Sequence, residues 1–151
     1  MARRTKGTSP PGPAGLKVLF VAGFGPVVED PAASRTLYQQ DLGIPFDEAP
    51  GGYLSTESLE GVKHFALWPL AQAAESCFGS PHWPASVPRP QAWVEFDVED
   101  ITTATRALEA AGYQLLVHAR REPWGQTVTR FLSPEGILTA VTHTPALRNP
   151  A

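Results

Sequence analysis

Short apolar runs of strand length alternate along the chain with two stretches in which apolar residues recur every three or four positions. Leu16 to Val28 is the first run, too uniformly apolar for a strand with one wet face. Gly23, Gly25 and Pro26 mark a bulge or a close backbone approach near its end. Asp30-Pro31 then opens a helix, with Asp as N-cap and Pro at the first helical position. Its apolar stripe is Ala33, Leu37, Tyr38 and Leu42, and Gly43 stops it. Short extended segments are predicted over 44–47 and 53–57, separated by the turn Pro50-Gly51-Gly52, and a longer strand over 62–70.

Residues 71–90 break the pattern. Pro81, Pro84, Pro88 and Pro90 exclude regular structure from most of this stretch, although its first residues, through Cys77, suit a short helix. A connection of this length inside one domain is expected to be a linker between halves or a lid. Gln91 to Val98 restores strict alternation, with Trp93, Glu95 and Asp97 on one face and Ala92, Val94, Phe96 and Val98 on the other. Asp100 caps a second helix, striped by Ile101, Ala104, Leu108 and Ala111 and stopped by Gly112. A strand over 113–119 follows, and Pro123-Trp124-Gly125 turns into a hairpin. Its strands cover 127–132 and 137–143, joined by Ser133-Pro134-Glu135-Gly136, a type I turn with Pro fixing φ and Gly at the fourth position. Pro145 offers no N–H to a ladder and ends the hairpin.

The pattern is βαβββ written twice. It predicts one domain over 16–145, with halves 16–70 and 91–145 and the linker 71–90 between them. Residues 1–15, rich in Pro, Gly and basic side chains, are expected to form a disordered tail, and 146–151 a second, short tail.

A chain of 151 residues is long enough to bury one real core, and a net charge of −3 disfavours nucleic acid as a partner. One cysteine, Cys77, excludes an internal disulfide framework and a multi-cysteine zinc site within the chain. No apolar run approaches membrane-spanning length, so no membrane partner is expected and the location is expected to be cytoplasmic.

The closing hairpin, with the Trp-Gly before it, resembles that of the vicinal-oxygen-chelate superfamily, which holds glyoxalase I, extradiol dioxygenases and bleomycin-resistance proteins. Members usually read F-x-D-P-D-G-x-x-x-E there, the Glu being a metal ligand. Here the same frame runs from Phe131 through Pro134 and Gly136 to Ala140. The resemblance covers roughly Leu16 to Thr144 and implies an α+β fold in which two βαβββ modules form an open barrel around a cleft. It also implies a homodimer, and in most enzymes of the superfamily a divalent metal held by side chains from the first and last strand of each half.

Carried over one position at a time, the ligand sites are largely empty. Counting back from the two helix caps, the usual His falls on Gly23 in the first half and on Trp93 in the second, and the closing strand offers Ala140. Aligning the halves through Pro69 and Pro145 sets His64 opposite Ala140. One imidazole cannot hold a specific divalent ion alone. His82, His118, His143 and Cys77 show no zinc-type spacing; Cys77 and His82 lie five positions apart on the proline-rich connection. No metal and no cofactor is therefore expected.

What remains is aromatic. Trp68, Trp83, Trp93 and Trp124, with Phe20, Phe24, Tyr53 and Phe65, fall on strands or loops that such a fold gathers around its cleft. Core packing is the preferred reading for Phe20, Phe65 and Phe96. Indoles with a few polar groups suit planar or cationic small molecules. The expected ligand-binding residues are Trp93, Trp124, Trp68, His64, Glu95 and Arg130, with Gln126 and Thr142 as further polar fixers. The expected function is metal-independent binding or sequestration of a small aromatic or amphipathic molecule, as in bleomycin-resistance-type proteins. The alternative is a glyoxalase-like lyase or isomerase, or a dioxygenase, using His64 at an unorthodox metal site, or His64 or Glu95 in acid–base chemistry without metal.

Overall fold

The computed structural model describes residues 16–148, so the tail expected over 1–15 and the last residues, 149–151, lie outside it. In chain order the elements are β1 (Val18–Val28), α1 (Pro31–Arg35, continuing as a π-helical stretch over Thr36–Asp41), β2 (Asp47–Ala49), β3 (Tyr53–Thr56) and β4 (Phe65–Pro69). They continue with α2 (Leu70–Phe78), β5 (Ala92–Val98), α3 (Ile101–Ala110), β6 (Leu115–Arg121), β7 (Thr127–Leu132) and β8 (Leu138–His143). The βαβββ unit thus occurs twice, with α2 and its proline-rich continuation between the copies. Asp30 and Asp100 cap their helices in the same way, each carboxylate accepting a backbone N–H at 3.1 Å, from Ala33 and Thr103.

All the strands belong to one open sheet of order β2-β3-β4-β1-β5-β8-β7-β6. The first and last strands of each unit pair in parallel, β1 with β4 and β5 with β8, and the units join through the antiparallel pair β1–β5. Each unit lays its helix on one face of its own strands. Tyr38, Ile44 and Phe46 cover Leu54, Phe65 and Leu67 in the first half. Ala104 and Leu108 cover Val98, Phe131 and Val141 in the second. A larger core beneath α2 spans both halves. No helix of the described residues is long and apolar enough to cross a membrane.

Three local features depart from the pattern in the sequence. The π-helical stretch brings the Leu42 N–H to the Leu37 carbonyl and widens the turn. Leu37 and Leu42, expected on the buried stripe, are 46% and 59% exposed, while Tyr38 packs on Phe65. The short strand expected over 44–47 forms instead at Asp47–Ala49, because Ile44 and Phe46 go into the core and Pro45 has no N–H to pair. The ordered chain also continues past the expected end at 145. Arg148 donates to Asp97 and to the Val98 carbonyl, and the Thr144 N–H donates to Asp97, which is fully buried.

The 71–90 connection is a packed plug. Ala73, Ala74 and Cys77 of α2 bury against Val117 and Val128. Trp83 meets Phe78 edge-on at 4.9 Å and shares its indole N–H between the Val87 and Pro88 carbonyls. Trp83 therefore belongs to the core, and the prolines let the chain turn around it.

Candidate functional site

The floor of the cleft is built where the two halves meet. β1 and β5 run antiparallel with Gly25 opposite Trp93 and Gly23 opposite Glu95. Trp93 lies flat across both glycines and is only 4% exposed, and its indole N–H donates to the Ala66 carbonyl at 3.1 Å. The glycines are sterically required. A Cβ on Gly25 would lie 1.9 Å from the Ala66 oxygen, and one on Gly23 would lie 2.9 Å from both Trp93 Cη2 and the His64 oxygen.

One wall is a chain of polar groups running from β5 across β8 to β7. Glu95 accepts from Arg130 Nη1 at 2.8 Å through one oxygen and from Gln126 Nε2 at 2.7 Å through the other. Gln126 also donates to Thr142 Oγ1 and, through its carbonyl oxygen, accepts the indole N–H of Trp124 at 2.9 Å. Arg130 and Glu95 are nearly out of water, with side chains 4% and 14% exposed, and the guanidinium lies 4.7 Å from the centroid of the Trp68 ring. Trp124, held at the tip of the β6–β7 turn, is 68% exposed and stands at the rim.

The opposite wall carries Tyr53, on β3, and His64, the residue just before β4. The Tyr53 oxygen is 2.8 Å from His64 Nε2, and His64 Nδ1 is 3.4 Å from Glu57. Burial, with Glu95 nearby, pushes the Tyr53 hydroxyl well above its ordinary range, so it stays protonated. His64 thus sits between the Tyr53 phenol and the Glu57 carboxylate, with one ring nitrogen toward each.

The mouth was not foreseen in the sequence. α2 contributes Glu75 and Ser76, and β6 contributes Arg120, which donates to the Ser76 carbonyl and hydroxyl and to Glu122. Arg120 is aimed there by a bulge. The β6–β7 register shifts between Val117 and Arg120, and Ala119 takes φ +40°, the one non-glycine residue with positive φ among the described residues. A buried relay pins that bulge. The Ala119 N–H donates to Thr129 Oγ1, Thr129 contacts Thr105 Oγ1 at 2.6 Å, and Thr105 donates to the Ile101 carbonyl. The whole cleft encloses about 830 Å³, the size of a site for a drug-sized molecule.

Trp93, Trp124, Trp68, His64, Glu95 and Arg130 all line this one cleft, and Tyr53 and Gln126 join them. Thr142 stands behind Gln126, fully buried. Trp83, Phe20, Phe24 and Phe65 stand elsewhere. Phe65 is core, Phe24 is 45% exposed on the outer side, and Phe20 lies beneath the Lys63 ammonium. Of the mouth residues, Glu122 alone had a signal in the sequence, its place two residues from Trp124.

The donor set does not fit a divalent ion. Phe24 pairs with Phe65 and its counterpart Val94 with Thr139, so the counterpart of His64 is Leu138 and that of Ala140 is Ala66. The alignment through Pro69 and Pro145 therefore slips by two residues, and His64 does not stand opposite Ala140. Gly23, Trp93, Ala140 and Ala66 present no ligating atom from a side chain, and among the described residues no three His, Cys, Asp or Glu side chains converge. His64 has both ring nitrogens engaged. Cys77 is buried in the α2 core, with its thiol pushed up to about 11 by burial, while His82 is exposed.

The model of the Glyoxalase/Bleomycin resistance protein/Dioxygenase superfamily matches residues 23–141. A superfamily member from Vibrio splendidus 12B01 superposes with a TM-score of 0.52 at 18% identity, covering 85% of this chain and 97% of its own. Methylmalonyl-CoA epimerase from Streptomyces coelicolor superposes with a TM-score of 0.53 at 16% identity, covering 89% and 100%. At these identities the likeness is one of fold. A search of curated proteins finds no match.

Proposed function

Because the chain belongs to the glyoxalase/bleomycin resistance protein/dioxygenase superfamily and yet brings no ligand set together among its described residues, we propose that it binds a small aromatic or amphipathic molecule without a metal. The observation that carries this reading is the wall from Trp124 through Gln126 and Glu95 to Arg130. Its polar groups bond chiefly to one another, so the cleft offers indole and phenol surface instead of a chelating pocket. Such a site gains affinity from apolar area and stacking, with a few polar groups fixing orientation. The bleomycin-resistance-type members are the model for this role, and sequestration is its simplest form.

The test is calorimetric titration with a planar probe such as acridone. Trp124→Ala and Trp68→Ala are expected to weaken binding by about tenfold each, a loss of about 1.4 kcal/mol. Affinities unchanged in both variants would remove the aromatic cleft from the account.

A second reading has one observation in its favour. Tyr53, His64 and Glu57 form a hydrogen-bonded line along the cleft wall, the arrangement that moves a proton in acid–base enzymes. A lyase or isomerase built on it requires that His64→Ala abolish a turnover found by screening carbonyl compounds for solvent-proton exchange. Exchange that survives in that variant would exclude His64 from the chemistry.

A further inference from the structure

The side-chain donors and acceptors of the cleft wall are matched within the protein, with one exception. Glu95 uses both oxygens, Gln126 both ends, and Trp124 its N–H. Arg130 does not follow. Its side chain makes one hydrogen bond among the described residues, from Nη1 to Glu95, and its Nε is the one buried side-chain nitrogen or oxygen among them without a partner. A buried donor left unmatched is destabilising and calls for an explanation in a native structure.

Geometry says what is missing. In a planar guanidinium the Nε–H and one Nη2–H point the same way from one edge and form a fork that meets the lone pairs of a planar acceptor. Glu95 sits on Nη1, and the other edge of this cleft-lining side chain meets no protein acceptor. Charge then selects the acceptor. Glu95 already neutralises Arg130, and Glu122 neutralises Arg120. Glu57 and Glu75 line the same cleft and add negative charge that neither arginine balances. A ligand carboxylate would enter against that field, whereas a carbonyl oxygen accepts from the fork without adding charge.

We propose that the ligand of this cleft is a planar aromatic carbonyl compound, of the aryl ketone, lactam or quinone class, whose carbonyl oxygen accepts from the unpartnered edge of Arg130 while its rings lie among Tyr53, Trp93 and Trp124. The proposal rests on the aromatic-binding reading and narrows it to one chemical class, with Arg130 as the residue that sets specificity.

The experiment compares acridone, acridine and acridine-9-carboxylate by calorimetry in mildly alkaline buffer, where acridine is neutral. The wild type is expected to bind acridone at least about tenfold tighter than acridine, and the carboxylate most weakly. Arg130→Lys, which keeps the charge and loses the fork, is expected to bind acridone and acridine alike. The paired variant Arg130→Met with Glu95→Gln removes both charges together and is expected to lose the same preference while still binding acridine. If the paired variant fails to fold by circular dichroism, Arg130→Lys decides. Equal wild-type affinity for acridone and acridine, tightest binding of the carboxylate, or a preference that survives in Arg130→Lys would overturn the assignment and leave the aromatic-binding reading standing. Failure of all three probes to bind the wild type would overturn both.

Discussion

The indole of Trp93 occupies the space that a side chain on Gly23 would need, with Cη2 2.9 Å from where that Cβ would stand. These two positions are counterparts in the two halves, and each is a place where relatives are expected to carry a metal-binding histidine. Here one has become a ring and the other has become the room for it. Gly23→Ala should therefore lower stability by about 1–3 kcal/mol through overpacking. In a Trp93→Ala background the penalty should shrink by about 1 kcal/mol, since the ring no longer crowds the new methyl although the His64 carbonyl still does. Urea denaturation of the four proteins measures this coupling, and an equal penalty in both backgrounds would show that the ring and the glycine are independent.

Glu95 and Arg130 form an ion pair almost free of water. Glu95→Ala leaves a buried guanidinium unpaired and should destabilise by about 3–5 kcal/mol. Combining it with Arg130→Met should cost less than the sum of the single changes, because no charge is then stranded. Additive losses in denaturant titrations would mean that the pair is solvated in solution.

Ala119 holds a left-handed φ of +40° that a Cβ disfavours. Ala119→Gly relieves that strain and should raise stability, by about 1 kcal/mol at most. The bulge persists in this variant, so Arg120 should keep its contacts with Ser76 and Glu122. A lower melting temperature would show that the bulge is not strained.

Burial holds the Cys77 thiol at about 11, and it also raises the Tyr53 hydroxyl. Both are acids whose folded value lies above the unfolded one. In the window between the two values the unfolded chain binds fewer protons, so stability is fully present below the ordinary thiol value and falls as pH rises through the folded one. Cys77→Ala should flatten the alkaline slope in part, and Tyr53→Phe should remove a further part. Native Cys77 should resist a thiol-specific disulfide reagent and react only as fast as the chain opens. Rapid stoichiometric labelling of the folded protein would contradict its burial.

Much of this architecture is legible from one sequence because its signals are local. Asp30 and Asp100 each precede a helix that they cap, and the alternation of Trp93, Glu95 and Asp97 puts all three on one face whatever strand lies beside them. The turn Ser133 to Gly136 closes as its residues require, with the Gly136 N–H donating to the Ser133 carbonyl. The remainder depends on partners distant in the chain. Tyr53 meets His64 only because β3 pairs with β4 in one register, and neither strand announces that register. Arg120 reaches the cleft through a bulge, which reverses the side-chain alternation that a sequence pattern assumes. The slip between His64 and Ala140 has the same origin, since Pro69 and Pro145 look equivalent along the chain and are two residues out of step in the ladders.

On the proposed function the cleft binds an aromatic ligand and needs no metal to do so. The most direct test is the dissociation constant of acridone, measured by calorimetry after exhaustive dialysis against EDTA and again with zinc or manganese supplied in slight excess. The same constant is expected in all three conditions, within about twofold. Binding that appears only when metal is restored would contradict it, and so would no binding in any of them.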